Sequence, residues 1–215
     1  MTIKEQIIEF LRSNQMSTEE VSDAMGKIGA LDSIAPIKSN HYMVGEVQYV
    51  YAHDDSNWSI HEQIRDIESG KILYVDAFNV GNYAIFGELV SLFIIEKKGA
   101  SAIILNGKVR DLNGLIKRNY PIWCKGITPI GCFNKEMTPS SDILESSRRN
   151  KEYFEGTIAV CDDSGVVIIP KSEINASFLE RLQNMKAQEK IWFDCVENKD
   201  WNTYDTVCLK KYKNE

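Results

Sequence analysis

The chain has 215 residues, 43% of them hydrophobic and 26% charged, with a net charge of −6 at neutral pH. That length allows one domain with a real core, and the acidic balance excludes a dedicated nucleic-acid binder, which needs a concentrated basic surface to displace counterions from phosphates. The most apolar windows, LVSLFII and VVIIP, fall far short of the roughly 20 residues that cross a bilayer, so no membrane partner is expected.

The N-terminal stretch MTIKEQIIEFLRSNQM predicts an amphipathic helix over 3–12, with Ile3, Ile7, Ile8, Phe10 and Leu11 at helical spacing. It does not read as a signal peptide, and a cytoplasmic protein is expected. STEEVSDAMGKIG announces a second helix, with Ser17 and Glu20 forming a capping box and Gly26 and Gly29 ending it. YMVGEVQYVYA (42–52) is a strand rich in Val and Tyr. A polar loop and a short helix over about 59–66 then lead to KILYVDAF, a buried-type strand ending near Asp76.

Gly87 opens a helix running to Lys98, with Gly99 as its stop and lysines suited to the negative end of the dipole. The strand AIIL (102–105) follows, ended by a turn at Gly107. Asp111 stands in the capping position of a short helix, DLNGLIKRN, and PIWCKG is the next strand. Residues 134–155 are polar and read as a surface excursion. GTIAVCDDSGVVIIP is a hairpin about Asp162-Asp163-Ser164-Gly165, and a helix over about 172–190 precedes a tail from 191 of no assigned structure. Alternating short strands and helices predict an α/β fold, treated as a single unit over 1–215. The five cysteines form no CxxC pair and the three histidines are dispersed, so reduced thiols are expected, without a zinc or histidine metal site.

Three features converge. Asp76 ends a strand, Gly87-Glu88 opens a helix, and Arg110-Asp111 follows the strand returning from that helix. Ligands of α/β folds sit at such loop ends, where helix N-termini expose unpaired N–H groups to a carboxylate or phosphate. Arg110 supplies a planar fork for an anion or a developing enolate. Asp111 is an oxygen ligand for a hard cation that keeps several waters, such as magnesium. These parts suit enolate stabilisation next to a keto acid, but on composition and spacing alone they fit any anion-binding α/β enzyme. A surface ion pair for Arg110 and Asp111, dipole compensation for Glu88 and a strand-end cap for Asp76 are the plainer alternatives.

In order along the chain, STEEVSDAMG, SGKILYVDAF, FGEL, NGKVRD and DDSGVVIIP resemble the RraA-like family, which includes the 4-hydroxy-4-methyl-2-oxoglutarate aldolases. The resemblance covers roughly residues 17–132 and 156–190. It implies a layered α/β sandwich related to the swivelling phosphohistidine domain, assembled as trimers or hexamers with sites between subunits. It also implies a lyase that uses Mg2+, Mn2+ or another divalent cation to release pyruvate from a 4-hydroxy-2-keto acid or from oxaloacetate. Carried over by position, backbone N–H groups of Phe86, Gly87, Glu88 and Leu89 would hold the substrate carboxylate, Arg110 the substrate, and Asp111 the metal. Asp23 and Glu189 match acidic positions of less defined role, the second reaching toward a neighbouring subunit.

Family members that regulate ribonuclease E can lack the acid after the arginine, and here the acid is present. A non-catalytic regulator that binds a partner protein is the alternative. A lyase or isomerase of a larger, sugar-derived keto acid is a third. The chain departs from the family in a longer spacing from Gly87 to Arg110, in Phe154-Glu155-Gly156-Thr157 before the last hairpin, and in its C-terminal tail.

Overall fold

The computed structural model describes residues 1–214. In chain order the elements are α1 (Ile3–Ser13), α2 (Thr18–Ala24), β1 (Ala35–Pro36), β2 (Met43–His53), α3 (Trp58–Gln63), β3 (Ile72–Phe78), β4 (Ala84–Phe86) and α4 (Glu88–Leu92). There follow β5 (Ala102–Val109), α5 (Leu112–Lys117), β6 (Ile122–Ile127), α6 (Ser141–Phe154), β7 (Ile158–Asp162), β8 (Gly165–Ile169) and α7 (Ala176–Glu197). A π-helical turn, Phe93–Lys97, extends α4.

Eight strands form one mixed sheet in the order β1-β6-β5-β3-β2-β7-β8, with β4 beside β5. β2, β3, β5 and β6 run parallel, which requires helical crossovers and buries both faces. One face carries Leu73, Val75, Ile103 and Leu105 against Ile60 of α3, Ile94 and Leu115 of α5. On the other face Tyr49, Tyr74, Ile104 and Trp123 meet Ala159, Cys161, Val166 and Ile168 of the β7–β8 hairpin. The alternate residues of that hairpin, Ile158, Val160, Val167 and Ile169, face α1, α2 and α7 through Ile7, Leu11, Val21, Phe178 and Leu182. Period-two alternation thus lets one hairpin separate two cores. A bridge from Ala30 to Val167 and the pairing of β1 with β6 link the far ends of the sheet, wrapping it around the second core. The α/β layered fold expected from the sequence is the one present.

Local signals held well. Ser17 and Glu20 form the capping box of α2, with Ser17 Oγ accepting from Glu20 N–H at 3.2 Å and Glu20 accepting from Ser17 N–H at 2.7 Å. Gly99 ends the α4 extension at φ +75°. All five cysteines are free.

Four expectations are corrected. Gly107 does not end β5. The strand runs on to Val109, and the pairing with β6 shifts register between Leu105 and Lys108, a bulge that glycine tolerates where Ala77 and Ile85 press close. Asp111 does hold the N-cap position of α5, as expected, but its side chain makes no cap bond there.

The third correction concerns residues 134–155, which are no mere surface excursion. They contain α6, which Ser140 caps and which lays Phe154 on the rings of Tyr74 and Tyr49. Its inward stripe is Ile143, Ser147, Asn150 and Phe154, and the polar members made it look surface-bound. The fourth concerns the tail, because α7 continues to Glu197 and short helical turns follow at Tyr204–Cys208 and Lys211–Asn214. Among the described residues no helix is long and apolar enough to cross a membrane.

Candidate functional site

The returning strand β5 delivers Arg110 and Asp111 beside the start of α4. β4 pairs with β5, and Arg110 N–H donates to the Phe86 carbonyl at 3.1 Å, which fixes the loop after β5 against Gly87. Asp111 sits in the left-handed region at φ 59° and ψ 36°. That conformation costs a non-glycine residue about 1 kcal/mol, and Asp is among the residues that bear it best. It turns the carboxylate away from α5 toward α4, where Asp111 Oδ2 accepts from Glu88 N–H at 3.2 Å. The first-turn N–H groups of Leu89 and Val90 find no acceptor among the described residues.

Gly87 is needed for this approach, because a Cβ there would lie 2.0 Å from Asp111 Oδ2 and 2.9 Å from Arg110 Cγ. A second glycine, Gly131, does the same for the guanidinium: its Cβ would lie 2.3 Å from Arg110 Nη1. Gly131 is held opposite by a bridge to Ala84 and by the flanking bonds Ala84 N–H to Ile130 O and Cys132 N–H to Ala84 O. Arg110 Nε stands 3.8 Å from Asp111 Oδ2 with both side chains half exposed, a spacing that leaves both groups open to a ligand.

Between these walls lies a cavity of about 130 Å³, lined by Asn57, Gly87, Leu89, Arg110, Asp111 and Cys132 among others. Burial, helped by the Asp55 carboxylate and opposed by Arg110, pushes the Cys132 thiol up to about 11, so it stays protonated at neutral pH. Among the described residues no three His, Cys, Asp or Glu side chains gather into a metal cage. One half-exposed carboxylate facing a polar cavity suits a hard cation that keeps most of its water and takes further oxygens from a substrate.

Of the residues singled out in the sequence, the cavity brings together Phe86, Gly87, Leu89, Arg110 and Asp111. Phe86 presents backbone only, its ring lying in the core. Leu89 is 79% exposed. The Glu88 side chain turns away from the cavity: its carboxylate accepts from Arg118 Nε at 2.5 Å over Gly114, where a Cβ would be 2.0 Å from Glu88 Oε2.

The remaining acids lie elsewhere. Asp76 is 2% exposed on β3. Its carboxylate accepts from Tyr49 Oη at 3.1 Å, Asn106 Nδ2 at 2.7 Å and Asn150 Nδ2 at 2.6 Å, a closed network beneath α6. Burial and this carboxylate raise the Tyr49 hydroxyl far above its ordinary range. Asp23 pairs with Lys27 at 2.8 Å beside a separate surface concavity that Ser164 also lines. Glu189 lies on α7, where a hydrogen bond shared with Glu20 raises its pKa and Lys186 stands 3.7 Å away. Sequence reading missed Asn57, Gly131 and Cys132, whose partners are remote in the chain. A glycine in PIGCF after a strand was the one local signal.

Comparison with known proteins agrees with this architecture. A protein of Halalkalibacterium halodurans provisionally named 4-hydroxy-4-methyl-2-oxoglutarate aldolase is 25% identical over 171 residues, spanning 79% of this chain and 80% of that protein. A crystal structure of an uncharacterized protein from Pseudomonas syringae pv. tomato shares the fold at TM-score 0.72 and 20% identity, over 98% of this chain and 96% of that one. So does Streptomyces coelicolor RraAS2, described as an unusual member of the RNase ES inhibitor RraA protein family, at TM-score 0.66 and 18% identity over 86% and 93% of the two chains. The family model described as RraA-like, Aldolase/RraA, matches residues 18–168, and the chain belongs to that family.

Proposed function

We propose that the protein is a divalent-metal-dependent carbon–carbon lyase that releases pyruvate from a 4-hydroxy-2-keto acid or from oxaloacetate. The observation that carries this reading is the left-handed Asp111, whose carboxylate leaves its own helix to face the same small cavity as the Arg110 guanidinium and the first turn of α4. The family's provisionally named aldolase relative supports it.

Asp111 would hold the cation, Mg2+ or Mn2+, which when bound supplies Lewis-acid polarisation of the 2-keto acid. The unpaired N–H groups of Leu89 and Val90, at the positive end of the helix dipole, receive the substrate carboxylate. Cleavage breaks the C3–C4 bond: the pair stays on C3 as an enolate, and the C4 hydroxyl loses its proton as C4 becomes a carbonyl. Arg110, on the wall of the same cavity, would lower the cost of the negative charge that grows on the C2 oxygen. Protonation of C3 then gives pyruvate. Decarboxylation of oxaloacetate runs through the same enolate with carbon dioxide as the leaving group.

Beside the cavity, Leu89, Val90, Leu92 and Phe93 line an apolar groove of about 440 Å³, which supports the expected packing of copies into a trimer or hexamer around the site. A non-catalytic regulator that binds a partner protein is the competing reading. It is favoured by exposed Ile191, Phe193 and Val196 on α7 and Tyr204 and Leu209 beyond it.

The experiment is to supply oxaloacetate and 4-hydroxy-4-methyl-2-oxoglutarate with magnesium and couple pyruvate to a dehydrogenase. Pyruvate is expected, lost on chelation and in Asp111→Ala. No pyruvate above background, or an unchanged rate in Asp111→Ala, overturns the lyase reading. Metal-independent capture of a partner protein that tolerates Arg110→Ala would favour the regulator.

A further inference from the structure

Asn57 precedes α3, the position where an asparagine normally spends its side-chain oxygen on the helix N-terminus. Here it does not. Its φ of −108° and ψ of 13° fall outside the usual capping conformation, no side-chain cap bond forms, and Ser56 Oγ instead accepts from Trp58 N–H at 3.2 Å.

The Asn57 amide nitrogen is committed to β4, donating to the Ile85 carbonyl at 3.0 Å. Because a carbonyl only accepts, that bond fixes which way round the carboxamide stands. The remaining atom, Asn57 Oδ1, is buried and has no hydrogen-bond partner, in a residue only 8% exposed. Buried acceptors in native proteins are nearly always satisfied, so an orphan of this kind calls for a donor that arrives from outside the chain.

Asn57 lines the same cavity as Arg110, Asp111 and Gly87. Those residues supply the groups suited to the anionic and keto end of a substrate: a cation, a carboxylate for a metal, and helix N–H donors. Asn57 supplies an acceptor, which neither a carboxylate nor a keto oxygen can use. A hydroxyl can.

We propose that Asn57 is a specificity-determining residue whose Oδ1 accepts a hydrogen bond from the C4 hydroxyl of the substrate, selecting hydroxylated keto acids over those without the hydroxyl. The position of that hydroxyl rests on the lyase reading. The physical consequence is asymmetric, because a site built to pair a hydroxyl is left with an unpaired buried oxygen when the hydroxyl is missing. Oxaloacetate, which brings no hydroxyl at C4, gains nothing from Asn57.

Two arms test this. In the first, kcat/KM of the full-length protein with magnesium is measured for 4-hydroxy-4-methyl-2-oxoglutarate and for oxaloacetate, in the wild type and in Asn57→Ala and Asn57→Ser. The variants are expected to lose about 10- to 100-fold on the hydroxylated substrate and less than about 3-fold on oxaloacetate.

The second arm needs no turnover. Calorimetric affinities are compared for 4-hydroxy-4-methylglutarate and 4-methylglutarate, inert skeletons that lack the keto group. The wild type is expected to prefer the hydroxylated skeleton about 10-fold, and Asn57→Ala to lose the preference. Equal losses on both substrates, or a hydroxyl preference that survives Asn57→Ala, would overturn the assignment. Absence of pyruvate from either substrate together with an Asn57-dependent preference in the second arm sinks the lyase reading and leaves the role of Asn57 standing.

Discussion

Gly87→Ala isolates the feature on which the site depends. The added Cβ would lie 2.0 Å from Asp111 Oδ2, 2.8 Å from Asp111 Cγ and 2.9 Å from Arg110 Cγ. To restore a contact of about 3.4 Å the carboxylate must retreat by about 1.4 Å. That carries Oδ2 beyond hydrogen-bond reach of Glu88 N–H, now 3.2 Å away. The Asp111 side chain is 49% exposed, so water replaces much of the lost bond and the cost to stability is about 1 kcal/mol. Part of this is offset, since alanine reduces the entropy of the unfolded chain. The melting temperature is expected to fall by no more than about 4 °C.

Under the proposed lyase function activity responds differently, because a 1 Å displacement of a catalytic group costs on the order of 100-fold in rate. The assay pairs a thermal melt with pyruvate release from oxaloacetate. A folded Gly87→Ala protein that keeps its rate to within about 3-fold would refute the reasoning, since Asp111 and Arg110 would then not need their present positions.

Gly131→Ala strikes the far end of a flexible side chain, Arg110 Nη1, with its Cβ at 2.3 Å, so the guanidinium swings aside and the fold barely notices. The melting temperature should stay within about 2 °C while KM rises about 10-fold, and unchanged steady-state kinetics would disprove the contact. Asn150→Ala removes the 2.6 Å donor to buried Asp76 and should cost about 1–3 kcal/mol in a denaturant titration. Turnover per folded molecule should persist, and an undiminished midpoint would mean that α6 does not secure this network. With its thiol raised to about 11 by burial, Cys132 exposes almost no thiolate at pH 8 and should resist iodoacetamide while exposed Cys208 is labelled. Peptide mass spectrometry across rising pH checks this, and rapid labelling of Cys132 at pH 8 would contradict it.

Much of the fold could be read from local sequence. The capping box of Ser17 and Glu20, the glycine stop at Gly99 and the hairpin turn before Gly165 are set by interactions within a few residues, and each appears as expected. That Gly87, Arg110 and Asp111 would lie together was legible, because strand ends and a helix start follow one another along the chain, and the three line one cavity. The α6 stripe was not legible. It covers a buried carboxylate, so Ser147 and Asn150 stand where apolar residues would have advertised a helix face.

The sequence by itself determined the elements and the kinds of group available: an arginine, an acid and a glycine at a helix start. Only the tertiary structure decided how each is used. Asp111 abandons its own helix for α4, Glu88 is drawn off to Arg118, Asp76 is sealed beneath α6, and Asn57, a residue of the cavity wall, is left with a buried, unpaired oxygen. The reason is that a side chain's role depends on which partner reaches it first. Those partners come from β4, α5, α6 and the Gly131 loop, at sequence separations where no local spacing records the contact.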